Sequence, residues 1–211
     1  MDFLNQIDVM LFKMFVGHHQ SWSILVLFSV FCAKFLIYII PLHLCVLWFC
    51  GGERERCVVL SICLSICIAL FIGYLISLIY FHPRPFVVGL TTPLIKHRAT
   101  ASFPSNHALT IASYAVSFYF FGYKGTFKFA VVFLCLICWA RIFVGVHYPF
   151  DILAGIILGS LISLGVIQFI APYFPKFLYQ IPPLKYNLKR EFILNKALYL
   201  DFLRMNKVKR K

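Results

Sequence analysis

Long apolar runs, separated by short polar segments, make up most of the chain. A helix needs about 20 predominantly apolar residues to cross the hydrocarbon core of a bilayer. We predict five membrane-spanning helices, over residues 22–50, 57–81, 105–121, 129–146 and 149–170. The first is longer than a straight crossing requires, and Pro41 is the expected position of a kink. The pattern therefore predicts an all-α fold, a polytopic membrane helical bundle.

The first 20 residues follow a different pattern, with apolar side chains at helical spacing rather than in a continuous run. These side chains are Phe3, Leu4, Ile7, Met10, Leu11, Met14 and Phe15. The other side of the same helix carries Asp2, Asn5, Gln6, Asp8 and Lys13. A signal peptide would instead begin with basic residues followed by a continuous apolar core. We predict an amphipathic helix over residues 1–20 that lies in the membrane interface, followed by a transmembrane domain over residues 21–172.

Composition supports an integral membrane protein, and the charge distribution argues against a nucleic-acid partner. The 211 residues are 62% hydrophobic and 13% charged, with a mean hydropathy of +0.88. The formal net charge is +13, but residues 176–211 alone contain ten Lys and Arg against two acidic residues, a net of +8. Such a basic tail is typical of a cytoplasmic flank beside anionic lipid. We therefore predict a cytoplasmic tail over residues 173–211.

Three polar clusters interrupt the apolar pattern between residues 81 and 151. They are His82-Pro83-Arg84-Pro85, Ser102-Phe103-Pro104-Ser105-Asn106-His107 and Arg141-Ile142-Phe143-Val144-Gly145-Val146-His147-Tyr148-Pro149-Phe150-Asp151. The first ends a predicted span, the second begins one and the third joins two, so all three face the same side of the membrane. The opposite side receives Arg54, Arg56, Lys124 and Lys128, which the positive-inside rule makes cytoplasmic. We expect the clusters to face the periplasm or the cell exterior.

The residue types in these clusters indicate a site for a phosphate group. Arg84 and Arg141 can each bind two phosphate oxygens through a planar, permanently charged guanidinium group. Ser105 stands where a long helix begins, and the free backbone N–H groups of that first turn form an anion site. His107 would point at the same anion and can donate a proton. Phosphoryl transfer mainly requires such positioning and positive charge.

His147 and Asp151 are four residues apart across the start of the last predicted span. A carboxylate there can accept a hydrogen bond from one imidazole nitrogen and leave the other free to attack phosphorus. This attack gives a phosphohistidine and divides one displacement into two steps. The alternative is a pair that only stabilises the fold. Cys135 and Cys138 form a C-x-x-C spacing inside a predicted span, without a histidine or acidic neighbour, so we expect no metal or redox site there.

The combined order Arg-Pro, Pro-Ser-x-His and Arg-x5-His-x3-Asp resembles the type 2 phosphatidic acid phosphatase superfamily over roughly residues 20–172. The three clusters are most similar to those of bacterial undecaprenyl-diphosphate phosphatases of the bacitracin-resistance type. The stretch from Ala33 to Trp48 is also similar to that group.

The resemblance implies a role for each matched position. His147 would be the nucleophile and Asp151 its partner, while His107 would protonate the leaving group and later activate water. The implied phosphate-binding residues are Arg84, Ser105 and Arg141, with backbone N–H groups near Asn106 and His107. No metal or other cofactor is implied.

The sequence departs from the superfamily pattern at two positions. Ser77 stands where the superfamily places a lysine, seven residues before the first arginine, and Ala140 stands where a serine is common. We expect another cation to replace the lysine and favour Lys34, which lies inside the first predicted span. Lys34 can also be there for structural reasons. The other candidates are His82, Lys96 and Arg98.

The leading hypothesis is an enzyme of the bacterial plasma membrane that hydrolyses undecaprenyl diphosphate, a polyprenyl diphosphate lipid, at the outer face. It would recycle this carrier lipid for cell-wall synthesis. A second hypothesis keeps the site but changes the lipid to phosphatidylglycerophosphate, phosphatidate or lipid A, or transfers the phosphoryl group to another lipid. A third, a non-enzymatic transporter, predicts ionisable groups near the bilayer midplane and internal repeats. Apart from Lys34, the polar clusters lie at one membrane face and no repeat is visible, so an enzyme is favoured. No pattern indicates an oligomeric state.

Overall fold

The computed structural model describes residues 3–17 and 23–179, and every regular element within them is helical. The α-helices are α1 (Phe3–Phe15), α2 (Ser23–Lys34), α3 (Ile39–Cys50), α4 (Glu53–Ile79), α5 (Asn106–Phe120), α6 (Lys124–Phe143), α7 (Pro149–Gly165) and α8 (Phe174–Tyr179). A 3-10 helix, Leu36–Tyr38, separates α2 from α3, while a π-helical turn and a 3-10 turn connect α7 to α8 over residues 166–173. This confirms the all-α prediction. The predicted basic tail falls almost wholly outside the described residues.

Four helical segments are long and apolar enough to cross a membrane. They are Ser23–Cys50, Glu53–Ile79, Lys124–Phe143 and Pro149–Tyr173. The protein is therefore a multi-pass membrane protein, as predicted. α5 corresponds to the predicted third span, but it has 15 residues. At 1.5 Å per residue this is only about 22 Å, short of the roughly 30 Å of a hydrocarbon core. A fifth crossing formed by α5 stays a prediction.

α5 is the central helix of the bundle and packs against α4, α6 and α7. Its contact with α7 is close, because a Cβ atom at Gly159 would lie 2.5 Å from the carbonyl oxygen of Leu109. Further along both helices, Ser163 Oγ donates to the carbonyl oxygen of Ser113 at 3.1 Å. Small residues and serines are typical of such membrane helix interfaces. Because position 109 meets 159 and position 113 meets 163, α5 and α7 run parallel, and their first turns lie at the same end of the bundle.

The first predicted span is interrupted one turn before Pro41. α2 ends at Lys34, a 3-10 turn follows, and α3 starts at Ile39, so that Pro41 is its third residue. Proline lacks the N–H group that would bond to the carbonyl oxygen four residues earlier, at Ile37. The helix is therefore irregular at Leu36–Tyr38 rather than at the proline itself, where the first turn of α3 tolerates it.

α1 contacts the bundle through a face different from the one its amphipathic pattern predicts. Phe12 and the acidic Asp8 are buried, while Phe3, Leu4 and Met14 are exposed. The side containing Asp8 was expected to be polar and solvated. It instead packs against the protein, because the Asp8 carboxylate accepts a hydrogen bond from the backbone N–H of Phe150 at the start of α7. Placement of α1 in the membrane interface stays a prediction.

Candidate active site

The three polar clusters meet at one end of the bundle, although 69 residues separate the first from the last. The connection between α4 and α5 folds back on itself, since Ser102 N donates to His82 O at 2.7 Å. The first turns of α5 and α7 are joined by a bond of 3.0 Å from Ser105 N to the carbonyl oxygen of Asp151. The site is therefore assembled from the α4–α5 connection, the start of α5, the end of α6 and the start of α7.

His147 lies at the centre of this assembly, with 2% of its surface exposed. Its Nε2 atom is 3.3 Å from Arg84 Nη1, which can only donate, so Nε2 carries a lone pair. The hydrogen then resides on Nδ1, which lies 3.3 Å from Ser102 Oγ and 3.5 Å from Asp151 Oδ2. Burial, which outweighs the opposing effect of Asp151, lowers the pKa of His147. The ring is neutral, and Nε2 is the nitrogen whose lone pair is not used by a proton. Its role as the nucleophile stays a prediction.

Asp151 holds more than one partner. Its side chain is fully buried in the first turn of α7, and Oδ2 accepts hydrogen bonds from Ser102 Oγ at 2.5 Å and Tyr148 N at 2.9 Å. Oδ1 lies 3.1 Å from His82 Nδ1, which is closer than either oxygen lies to His147. The predicted His147–Asp151 pair is therefore present as a longer contact, with the Ser102 hydroxyl placed between the two groups.

Arg84 is fixed by backbone carbonyl groups rather than by a carboxylate. It donates to Thr100 O at 3.0 Å, Ala101 O at 2.9 Å and Val146 O at 2.8 Å. Burial lowers the pKa of Arg84 to about 10, which leaves the guanidinium protonated at neutral pH. Its positive charge thus stands beside His147 Nε2, where negative phosphate oxygens would bind.

Arg141 and Ser105 leave buried polar atoms without a partner. Arg141, 3% exposed, donates from Nη1 to Ala33 O at 3.4 Å and from Nη2 to His97 Nε2 at 3.1 Å. Its Nε atom and the Ser105 hydroxyl have no hydrogen-bond partner within residues 3–17 and 23–179. Leaving a buried polar group unsatisfied costs about 1–3 kcal/mol. Both atoms are free to bind a ligand, and their function in phosphate binding stays a prediction.

The first turn of α5 carries the remaining predicted residues. Ser105 precedes the helix without its side chain capping it, so the first N–H groups of α5 are open to a ligand. The partly buried His107 is the second residue of α5 and lies within electrostatic range of Arg141 and His147. Asn106 is exposed, and the role predicted for it is that of its backbone N–H group. His107 and Asn106 therefore both lie in the first turn of α5, which forms part of the assembled site.

Lys34, the residue favoured as a replacement for the missing lysine, forms no side-chain hydrogen bond or ion pair with the site residues that the structure describes. Lys34 is exposed at the end of α2, although the carbonyl group of its neighbour Ala33 contacts Arg141. Lys96 and Arg98 are also exposed. His82, the fourth candidate, contacts Asp151 directly. The function of Lys34 as the replacement cation stays a prediction.

Sequence reasoning missed three site residues or gave them no role. Ser102 was part of the second cluster, but nothing in its spacing pointed to the bridging position between Asp151 and His147. His97 accepts from Arg141, and its Nδ1 lies 3.0 Å from the Arg98 carbonyl oxygen. Burial lowers the pKa of His97 to about 4, which keeps the ring a neutral acceptor. The third residue is Asp8, which is 143 positions before Asp151. The sequence around Asp8 predicted only an amphipathic helix and gave no sign of a contact with the site.

Comparison with known proteins identifies the family. A family model described as the PAP2 superfamily matches residues 58–174, more than half of the chain. The chain belongs to this superfamily. The matched residues include all three polar clusters, and the match begins after α1, α2 and α3.

Two PAP2 relatives extend the similarity beyond the family model. The putative undecaprenyl-diphosphatase YbjG of Escherichia coli K12 is 30% identical over 158 residues, 75% of this chain and 80% of that protein. The undecaprenyl-diphosphatase BcrC of Bacillus subtilis is 34% identical over 154 residues, 73% of this chain and 78% of that protein. The predicted resemblance to these phosphatases is confirmed.

A solved structure supports the fold. The transmembrane PAP2 type phosphatidylglycerolphosphate phosphatase of Bacillus subtilis superposes with a TM-score of 0.62 at 24% identity, covering 80% of this chain and 87% of that chain. The helical arrangement described above is thus that of a transmembrane PAP2 protein.

Proposed function

We propose that this protein hydrolyses undecaprenyl diphosphate to undecaprenyl phosphate and inorganic phosphate. The observation that carries the proposal is the environment of His147 Nε2, a neutral and buried nitrogen next to Arg84. In the same site, Arg141 Nε and Ser105 Oγ have no hydrogen-bond partner in the described part of the chain. The donors of Arg141 and Ser105 would bind the oxygens of a terminal phosphate. The names of the YbjG and BcrC relatives support the choice of lipid.

The first step breaks the phosphoric anhydride bond. His147 Nε2 attacks the terminal phosphorus, the bond from phosphorus to the bridging oxygen breaks, and His107 donates a proton to the departing undecaprenyl phosphate. Arg84 Nη1, which contacts Nε2 in the free enzyme, turns to a phosphate oxygen when the N–P bond forms. Asp151 and Ser102 hold the Nδ1 proton and stabilise the positive ring.

The second step returns the enzyme to its starting state. His107, now unprotonated, accepts a proton from a water molecule, whose oxygen attacks the phosphorus. The N–P bond breaks, inorganic phosphate leaves and His147 is again neutral. Arg141, Ser105 and the first N–H groups of α5 bind the phosphate oxygens through both steps. No step calls for a metal ion, so we expect turnover to continue in the presence of a chelator.

The proposal places the site at the outer face of the bacterial plasma membrane, where the product would re-enter the carrier cycle of cell-wall synthesis. The charge of the two ends of the bundle supports this orientation. Arg54, Arg56, Lys124 and Lys128 lie around the turns at the opposite end, and basic residues mark the cytoplasmic side. A polyprenyl chain would lie in the bilayer beside the exposed apolar helix faces.

A substrate panel tests the function and its main alternative. Purified protein in detergent is given undecaprenyl diphosphate, phosphatidylglycerophosphate, phosphatidate or lipid A, with and without chelator, and phosphate release is measured. We expect the highest kcat/KM with the diphosphate. Preference for one of the other lipids would instead support the second hypothesis, in which the same site acts on a different lipid. Absence of release from every lipid would reject both.

A further inference from the structure

Asp8 caps the catalytic helix from another part of the chain. Its carboxylate accepts a hydrogen bond of 2.9 Å from the backbone N–H of Phe150, the second residue of α7. The first N–H groups of a helix have no acceptor within the helix, so they need one from elsewhere. Phe150 immediately precedes Asp151. Asp8 therefore holds the turn that positions the carboxylate on which His147 and His82 depend.

Two further contacts attach α1 to the residues just before and just after the segment that contains His147. The ring of Phe12, which is fully buried, lies 5.4 Å from that of Tyr148. Beyond the end of α1, Gly17 N donates to Phe143 O at 2.8 Å. These contacts lie on either side of residues 144–147 and fix α1 against both α6 and α7. The attachment is specific, and Asp8 is its one buried charge.

The charge of Asp8 also acts on the groups around Asp151. The groups that face it are Asp151, His82 and the hydroxyl group of Tyr148. The hydrogen bond to Asp151 and the charges of Asp151 and Asp8 raise the pKa of His82, against the effect of burial. Burial raises the pKa of Asp8 itself to about 6, while the bond from Phe150 opposes this shift. Asp8 is thus charged at neutral pH and becomes neutral in mild acid.

We propose that Asp8 is a positioning residue of the active site, holding the first turn of α7 and, through its charge, the His82 ring beside Asp151. The proposal rests on the proposed phosphatase function for its kinetic consequences only. It assigns to the N-terminal helix a part in the reaction, although this helix lies outside the segment matched by the family model. Asp8 does not touch the substrate, so its loss changes kcat more than KM.

Two substitutions separate the charge from the hydrogen bond. Asp8→Asn keeps an oxygen acceptor without the charge, and Asp8→Ala removes both. Lys13→Ala is the matched control, since Lys13 is an exposed charged residue on the same helix. At about pH 8 we expect kcat roughly fivefold lower for Asp8→Asn, at least about tenfold lower for Asp8→Ala and unchanged for Lys13→Ala, because charged hydrogen bonds are about twice as strong as neutral ones.

The pH dependence distinguishes this role from simple loss of stability. As the pH falls through about 6, wild-type Asp8 becomes neutral and resembles asparagine. The ratio of wild-type to Asp8→Asn kcat should therefore decrease from about five near pH 8 toward one near pH 5. A ratio that stays constant over this range, or that equals one throughout, overturns the proposal.

A measurement without substrate keeps this test independent of the proposed function. Hydrogen–deuterium exchange of a peptide containing residues 148–152 reports directly on the Phe150 N–H group. We expect faster exchange in Asp8→Ala than in wild type, with Lys13→Ala equal to wild type. If the wild-type protein releases phosphate from no lipid, the proposed phosphatase function is rejected. The exchange measurement still tests whether Asp8 binds the Phe150 N–H group. Equal exchange in Asp8→Ala and Lys13→Ala overturns the positioning role.

Discussion

The two ends of the helical bundle both carry arginines, acidic residues and aromatic rings, but the contacts of these groups differ. At the end opposite the active site, Glu55 accepts from Gly52 N at 2.9 Å and from the Tyr123 hydroxyl at 2.7 Å, one bond to each carboxylate oxygen. Arg54 donates to Phe121 O at 2.8 Å and lies 5.0 Å from the centre of the Tyr123 ring. We call these four residues, Arg54, Glu55, Phe121 and Tyr123, the turn cluster.

The candidate active site differs from the turn cluster because some of its buried polar atoms make no hydrogen bond within the described residues. Among the residues that the structure describes, Arg141 Nε and Ser105 Oγ are buried without a hydrogen-bond partner. The carboxylate of Glu55 instead accepts from the backbone N–H of Gly52, which precedes α4, and from the Tyr123 hydroxyl. A cluster that satisfies its own hydrogen bonds stabilises helix ends. A cluster that buries unsatisfied donors next to a neutral histidine has a lower energy when a ligand is bound. The comparison thus separates a structural cluster from a site for chemistry.

The largest effect should come from the nucleophile. His147→Ala removes the only protein atom proposed to form a bond to phosphorus, so we expect phosphate release to fall by roughly 10³-fold or more. A rapid quench in alkaline denaturant with radiolabelled diphosphate should trap phosphorylated protein in the wild type and none in the variant, because the phosphorus–nitrogen bond of phosphohistidine is stable in base and cleaved in acid. Turnover near the wild-type rate in His147→Ala would contradict the mechanism.

Arg141 tests whether the unsatisfied Nε atom binds phosphate. Arg141→Lys keeps the positive charge but loses the planar fork and Nε, so we expect kcat/KM to decrease on the order of 10²-fold. Arg54→Lys in the turn cluster is the matched control and should leave kcat/KM unchanged. An Arg141→Lys variant with wild-type kcat/KM would show that charge alone is sufficient.

Ser102 tests the bridge between Asp151 and His147. Ser102→Ala removes the hydroxyl group that contacts both, so we expect kcat roughly tenfold lower, about 1.4 kcal/mol in the barrier, with KM nearly unchanged. Ser77→Ala is the control, because the Ser77 hydroxyl is exposed and bonds only within α4. Equal kcat values for the two variants would mean that Asp151 acts on His147 without the bridge.

The smallest catalytic effect should come from the turn cluster itself. Tyr123→Phe deletes the hydroxyl group that donates to Glu55, so we expect the free energy of unfolding to fall by about 1 kcal/mol while phosphate release stays at the wild-type rate. Thermal unfolding in detergent and the phosphatase assay measure the two quantities. A loss of activity at unchanged thermal stability would assign this cluster a part in catalysis.

Much of the site could be predicted because its residues occur at fixed spacings along the chain. Arg84, Ser105, His107, Arg141 and His147 were each found beside a predicted helix end, and the structure brings these helix ends together. The limits of α4 and α6 were less accurate, starting at Glu53 and Lys124 rather than at the first strictly apolar residue. Charged residues can form the first turn of a helix at a membrane surface, and a prediction based on hydropathy alone leaves them out of the helix.

Contacts between distant segments were not predictable in the same way. The pattern of α1 placed Asp8 among polar residues and indicated solvent, although the carboxylate is buried against Phe150. His97 lies in a connection without periodicity, so nothing local indicated its contact with Arg141. In both cases the partner depends on how the helices pack, which one helical pattern does not describe.

The sequence by itself determined the helical class, the membrane character and which polar residues form the clusters of the candidate site, because apolar length and motif spacing are properties of the chain alone. Tertiary structure decided what those residues do to one another. It placed Ser102 between Asp151 and His147, gave Asp151 a second histidine in His82 and brought Asp8 to the start of α7. The physical reason is that a buried polar group must find its partner in three dimensions, and here parallel packing of α5 and α7 sets where that partner lies.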